Sequence, residues 1–89
     1  MTMTEPELKD GHIVAIAGPV VDVEFPVGHL PEINHALEFD LTVGGDQITV
    51  TAEVAQQIGD SRVRAISLKP TDGLTRGTKV RNLGRGIMV

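Results

Sequence analysis

The chain contains no cysteine, no tryptophan and no tyrosine, and its only aromatic residues are two phenylalanines. Without cysteine there can be no disulfide, no thiol nucleophile and no cysteine-based zinc site. With so few aromatic rings, there is almost nothing on which nucleic-acid bases could stack. Positive charge is also scarce: 8 Lys and Arg stand against 12 Asp and Glu, a formal net charge of -4, which disfavours a phosphate-backbone ligand. No nucleic-acid partner is expected. Long apolar runs are missing as well. The longest, Ile13 to Val21, is interrupted by Gly18-Pro19 and falls far short of the ~20 residues of a membrane-spanning helix, so no direct membrane insertion is expected. The opening "MTMTEPELKD" is polar and acidic with no apolar stretch of the signal-peptide kind, and residues 1–10 read as a disordered N-terminal tail.

What the chain does have is alternation. An 89-residue chain is a single small domain whose core must come from Val, Ile, Leu and Ala. From Gly11 onward apolar residues recur at every second position, with turn residues at short intervals, the pattern of half-buried strands. Val21, Val23 and Phe25 share one face and Asp22 and Glu24 the other, with Pro26 closing the run. "VGHLPEINH", Val27 to His35, carries Gly and Pro without a clean period and reads as a loop. Leu37, Phe39 and Leu41 then alternate with Glu38, Asp40 and Thr42, "GGD" supplies a hairpin turn, and Ile48, Val50, Ala52 and Val54 return in phase. "AQQIGD" ends that strand at Gly59-Asp60. Further strands are expected from Arg62 to Leu68 and from Thr78 to Leu83, after which Gly84 and Gly86 break the pattern. About six short strands and no helix result. They hide their apolar faces most simply by closing, so the expected fold is all-β, a small closed six-stranded β-barrel over residues 11–83.

Two strands carry more apolar surface than a barrel interior can take. In "HIVAIA", Ile13, Ala15 and Ala17 oppose Val14 and Ile16; in the Arg62 to Leu68 strand, Ile66 and Leu68 lie with Arg62 and Arg64, opposite Val63 and Ala65. Apolar residues outside a small barrel point to a neighbouring protein surface. Val14, Ile16, Ile66 and Leu68 are the candidate subunit interface. A β-bulge that switches faces, or scattered exposed aliphatics, are the plain alternatives.

"GLTRGTKV", Gly73 to Val80, has the look of a phosphate-binding loop, but three residues rather than four separate its glycines and Thr78 precedes Lys79. No helix can follow to present its N-terminus to phosphate. The stretch reads as a corner between strands: Pro70 suits the second position of a turn, Asp72 can cap it, Gly73 can take φ > 0, and Gly77 lets the chain bend into the last strand. Leu74 is expected to plug one end of the barrel.

Catalytic chemistry finds no support. His12, His29 and His35 have no ligand-like spacing, so no metal site is expected. Asp22 and Glu24 share a face as an acid and base pair could, but a solvated outer face accounts for them more simply. No Ser or Thr is accompanied by a His and acid set. The residues alone describe a small β-barrel interaction module, with a free-standing oligonucleotide-binding-like barrel as the alternative.

Longer stretches narrow this. "GPVVDVEFP" at Gly18 to Pro26, "LPEINHAL" at Leu30 to Leu37, "EVAQQIGD" at Glu53 to Asp60 and "VRAISLKPTDGLTRG" at Val63 to Gly77 closely resemble the start of the catalytic beta subunit of F-type ATP synthases, in the family's order and spacing. The resemblance implies a non-catalytic crown domain that alternates with alpha-subunit barrels in a hexameric ring. It implies a parent subunit that binds ATP or ADP with Mg²⁺ and serves ATP synthesis and hydrolysis coupled to proton transport. It further implies a peripheral membrane complex, at the cytoplasmic face of the plasma membrane in the bacterial type. In the family the P-loop, the catalytic glutamate and the Mg²⁺ ligands follow this segment, so no catalytic, cofactor-binding or metal-binding residue is carried onto this chain. Residues 84–89 are expected to begin the linker toward the nucleotide-binding domain.

Overall fold

The computed structural model describes residues 8–86. Among them are six strands: β1 (Gly11–Ala17), β2 (Val20–Glu24), β3 (His35–Val43), β4 (Asp46–Gly59), β5 (Arg62–Ser67) and β6 (Lys79–Gly86). Every pairing is antiparallel, and the sheet closes on itself in the order β1-β2-β5-β4-β3-β6. The expected all-β closed barrel is therefore the observed fold.

Period-two alternation explains the interior. Val21 and Val23 of β2, Leu37, Phe39 and Leu41 of β3, Val50, Ala52 and Val54 of β4, Val63 and Ala65 of β5, and Val80 of β6 are all buried with Ile13 and Phe25 in one cluster. A small-diameter barrel has room for little more than Val and Ala on most strands, and Phe39 is the largest fully buried side chain. Ser67 completes the inward series of β5, and its hydroxyl donates to the Lys69 carbonyl at 2.6 Å. No buried side-chain polar atom among the described residues lacks a hydrogen-bond partner, as a core with so little spare free energy requires.

Bulges bend the strands closed. On β1, Ile13 pairs with Val23 and Ala15 with Asp22, so Val14 is an extra residue opposite a single step of β2. The phase changes there: Ile13 points inward before the bulge and Ile16, opposite Val21, points inward after it. Ile16 was expected on the outer face with Val14. Instead it packs against the core, because the inserted residue reverses the alternation. On β4 the register shifts between Val54 and Gln56 and again between Gln57 and Gly59. These two irregularities let one 14-residue strand serve β3 with its first half and β5 with its second.

The loop over residues 25–34 covers one end of the barrel, with Pro31 buried and Leu30 against the core. It is tied down by Phe25 N–H to Ser61 O at 2.8 Å, Asn34 N–H to Val54 O at 2.8 Å, and Gln57 Nε2 to Pro31 O at 3.0 Å. The corner over residues 68–78 covers the opposite end, where Leu74 packs on the core.

Both boundaries of the domain differ from expectation. Strand β6 runs through Gly84 to Gly86 rather than stopping at Leu83, because β3 keeps it paired as far as His35 with Gly86. Residues 8–10, assigned to the tail, make contacts: Asp10 Oδ2 lies 3.2 Å from Lys79 Nζ, and Leu8 sits over Gly84. The rest of the tail, residues 1–7, and the last part of the expected linker, residues 87–89, lie outside the described residues.

Candidate assembly surface

The registers of β1, β2, β5 and β4 stack their outward side chains into three transverse rows. Ala17 faces Val20, Val20 faces Ile66, and Ile66 faces Glu53. One step along the strands, Ala15 faces Asp22, Asp22 faces Arg64, and Arg64 faces Gln56. In the third row His12 faces Glu24, Glu24 faces Arg62, and Arg62 faces Gly59. The face is thus apolar at one edge and ionic at the other.

The charges of the second and third rows are spent on one another. Arg64 donates from Nε to Asp22 Oδ1 at 3.0 Å and from Nη2 to Oδ2 at 3.2 Å, a two-pronged pair that holds the guanidinium above its ordinary pKa. Arg62 Nε lies 3.6 Å from Glu24 Oε2, and His12 Nε2 lies 3.4 Å from Glu24 Oε1. Asp22 and Glu24 are therefore cross-strand partners of arginines, which is a structural use of paired carboxylates rather than an acid and base pair. On the other side of the barrel Arg81 of β6 spans two carboxylates of β3. Its two terminal nitrogens donate to Asp40 at 3.0 Å each, and Nε donates to Glu38 Oε1 at 3.2 Å. The hydrogen bonds from Arg81, with one from Thr49 Oγ1 at 3.0 Å, hold the Asp40 carboxyl below its usual value, and Asp40 in turn raises the guanidinium.

Against this self-neutralised background the exposed apolar side chains stand out. Ile66 is 44% exposed and Leu68, two residues on along the same side, is 57% exposed. Val20 is half-buried beside Ile66, and Ala15 and Ala17 are exposed. The four candidate interface residues are not brought together as a set. Ile66 and Leu68 are outward, Ile16 is turned in by the bulge, and half-buried Val14 lines a groove with Leu74, Thr75 and Arg76. Val20 and Ala17, the missing members of the apolar row, went unnoticed because their membership depends on cross-strand register. The only signal in the sequence was that Val20 precedes Val21 on the polar side of its strand.

The corner with the look of a phosphate loop consists of two successive turns of the same build. Thr71-Asp72-Gly73-Leu74 closes with Leu74 N–H to Thr71 O at 2.9 Å, and Thr75-Arg76-Gly77-Thr78 with Thr78 N–H to Thr75 O at 3.3 Å. Glycine holds the third position of each, with φ of 86° for Gly73 and 90° for Gly77, where a type II turn requires a left-handed residue. Gly73 and Gly77 thus occupy the positions their turns demand. Pro70 does not: the hydrogen-bonded turn starts at Thr71, one residue after it, and Asp72 is at the second position rather than capping from the first. The reason lies in Thr71, whose Oγ1 donates to the Gly18 carbonyl at 2.7 Å and fixes the start of the turn against the β1–β2 connection. The Gly77 N–H is used on Ile13 O at 2.7 Å and faces the barrel, not an anion.

His12 and His35 each lie beside a glutamate, and no group of three metal-ligating side chains occurs among the described residues. No helix among them is long and apolar enough to cross a membrane. The family model for the beta-barrel domain of the ATP synthase alpha/beta family matches residues 13–84, from β1 into β6. This chain, in its sequence and in its closed barrel, belongs to the ATP synthase alpha/beta family and carries that family's beta-barrel domain.

Proposed function

We propose that this barrel is the assembly domain of an F-type catalytic beta subunit, alternating with alpha-subunit barrels in a hexameric ring, and that the row Ala17–Val20–Ile66 with Leu68 faces a neighbour. The observation that carries the second part is the exposed apolar row beside arginines that are already paired with Asp22 and Glu24. Bringing such a face against a partner leaves these ion pairs intact and removes aliphatic surface from water, at about 25 cal/mol per Å². The beta assignment rests on the four quoted stretches. ATP or ADP, Mg²⁺ and the coupling to proton movement belong to other parts of the parent subunit, and the barrel itself does no chemistry. The parent complex is peripheral, on the cytoplasmic side of a bacterial plasma membrane.

Two substitutions separate the faces. In the full-length subunit Ile66→Lys should leave the barrel folded, since an outward lysine reaches water, yet lower the yield of alternating rings weighed by native mass spectrometry. Ile16→Lys should unfold the barrel, since its side chain lies on the core side. Rings that form equally well with Ile66→Lys would remove the assembly role from this face. Reading the frame beyond Val89 tests the beta assignment, which requires a P-loop and a catalytic glutamate downstream.

A further inference from the structure

The seam between β1 and β6 is the shortest in the barrel. Only Gly11 with Val80 and His12 with Lys79 pair across it, against eight pairs between β3 and β4. Beyond Val80, β6 goes on to Gly86 with β3 on one side, but β1 has no residue left to pair on the other. An open edge results, and exposed edges of this kind are sites of fraying and strand addition.

Residues 8–10 lie along that edge. Extending the antiparallel register outward from Gly11 and Val80 brings Leu8 opposite Leu83, beside Gly84. Contacts of Asp10 and Leu8 help to hold the segment there. Asp10 Oδ2 is 3.2 Å from Lys79 Nζ. Leu8 occupies the space that the missing side chain of Gly84 leaves: a Cβ on Gly84 would stand 2.7 Å from Leu8 Cδ1 and 3.4 Å from Leu8 Cδ2. The Leu8 side chain also lines a groove with Leu30, Pro31, His35 and Asn82, and so bridges β6 and the loop that covers this end of the barrel.

We infer that residues 8–10 form a strap that closes the uncovered edge of β6 and can open without unfolding the barrel. The barrel core makes no use of the strap: Leu8 is half exposed and stands outside the core cluster, which begins at Ile13. The strap governs how firmly the far half of β6 is held. This inference does not depend on the subunit assignment.

Trypsin and hydrogen exchange test it on the whole chain. The bond after Lys9 can be cut only when the strap has left β6. Leu8→Asp should raise cleavage there, and exchange of the amides of residues 81–84, by roughly tenfold or more, while amides of Phe39, Val50 and Val63 keep their protection. Leu8→Met, which refills the space over Gly84, should restore the wild-type rates. Unchanged cleavage and exchange in Leu8→Asp would overturn the strap. So would an equal loss of protection at Phe39, Val50 and Val63, because residues 8–10 would then be part of the single cooperative unit.

Discussion

Gly11 and Gly86 offer a matched pair of substitutions. Both lie in strands, both have ordinary negative or extended φ, and neither needs the freedom of glycine. They differ in the room beside them. A Cβ at Gly11 would meet the Glu24 carbonyl oxygen at 2.5 Å and two carbons of the Phe25 ring at 2.8 and 2.9 Å. At Gly86 the nearest atom is the Asn34 carbonyl oxygen at 3.6 Å, an ordinary contact. Replacing glycine by alanine in a permitted conformation stabilises by about 0.4–1 kcal/mol through the unfolded chain. Gly86→Ala should show that gain. At Gly11 the same gain is set against overpacking, typically about 1–3 kcal/mol. The obstacle is backbone on one side and a ring only 2% exposed on the other, so neither can swing aside and the upper half of that range applies. The net loss of about 1–2 kcal/mol corresponds to a melting temperature lower by roughly 4–16 °C in a domain of this size. Thermal unfolding followed by circular dichroism at neutral pH, with both variants and the parent side by side, reads this directly. Equal midpoints for Gly11→Ala and Gly86→Ala would refute the reasoning, because neither backbone is in the left-handed region, the unfolded-state gain is alike for both, and the difference expected comes from the crowding.

The β4–β5 connection is a two-residue turn in which Asp60 and Ser61 have φ of 53° and 62°, so Ser61→Gly should stabilise by about 0.5–1 kcal/mol in chemical denaturation, and a decrease would show that the serine side chain matters more than its backbone. Asp40, with its carboxyl held below the usual value by Arg81 and Thr49, contributes stability that is complete above the unfolded carboxylate range near pH 4 and is lost as pH falls through the lower folded value. Asp40→Asn should accordingly melt below the parent at pH 7 and approach it in acid; a gap of constant size down to pH 2 would contradict the ion-pair account. Gly73→Val forces a β-branched residue into φ of 86° and should cost about 1–3 kcal/mol, whereas Lys79→Ala, which removes only an exposed ion pair to Asp10, should cost less than about 1 kcal/mol. Similar urea midpoints for these two would mean that the first corner turn tolerates either hand.

Strands that alternate apolar and charged residues were legible because the sequence itself states which face is which. Leu37, Phe39 and Leu41 against Glu38 and Asp40 leave one arrangement in a closed barrel, and that is the one observed. β1 carries no such label. With apolar residues at every position from Ile13 to Ala17, its faces are decided by where the bulge falls, and that is set by pairing with β2. Ile16 was therefore assigned to the wrong side. Gly84 and Gly86 misled for a related reason: glycine weakens a strand on its own account, but β3 supplies the ladder that carries β6 past both. The corner was recognisable from its glycines, yet its starting residue depends on the Thr71 bond to Gly18, 53 positions away. The outer apolar row belongs to the same class of information, since Ala17, Val20 and Ile66 become neighbours only once three strands are in register.

The place where Leu8 meets Gly84 has a geometric consequence. The chain enters the barrel and leaves it at one pole, side by side, while the double-turn corner and the β3–β4 hairpin crowd the other. The chain before residue 8 and the chain after residue 86 therefore start from the same pole, away from the opposite cap. A reporter fused directly to residue 8 would start beside Gly84, whereas one inserted at the Gly44–Gly45 tip would be carried to the far side of the molecule.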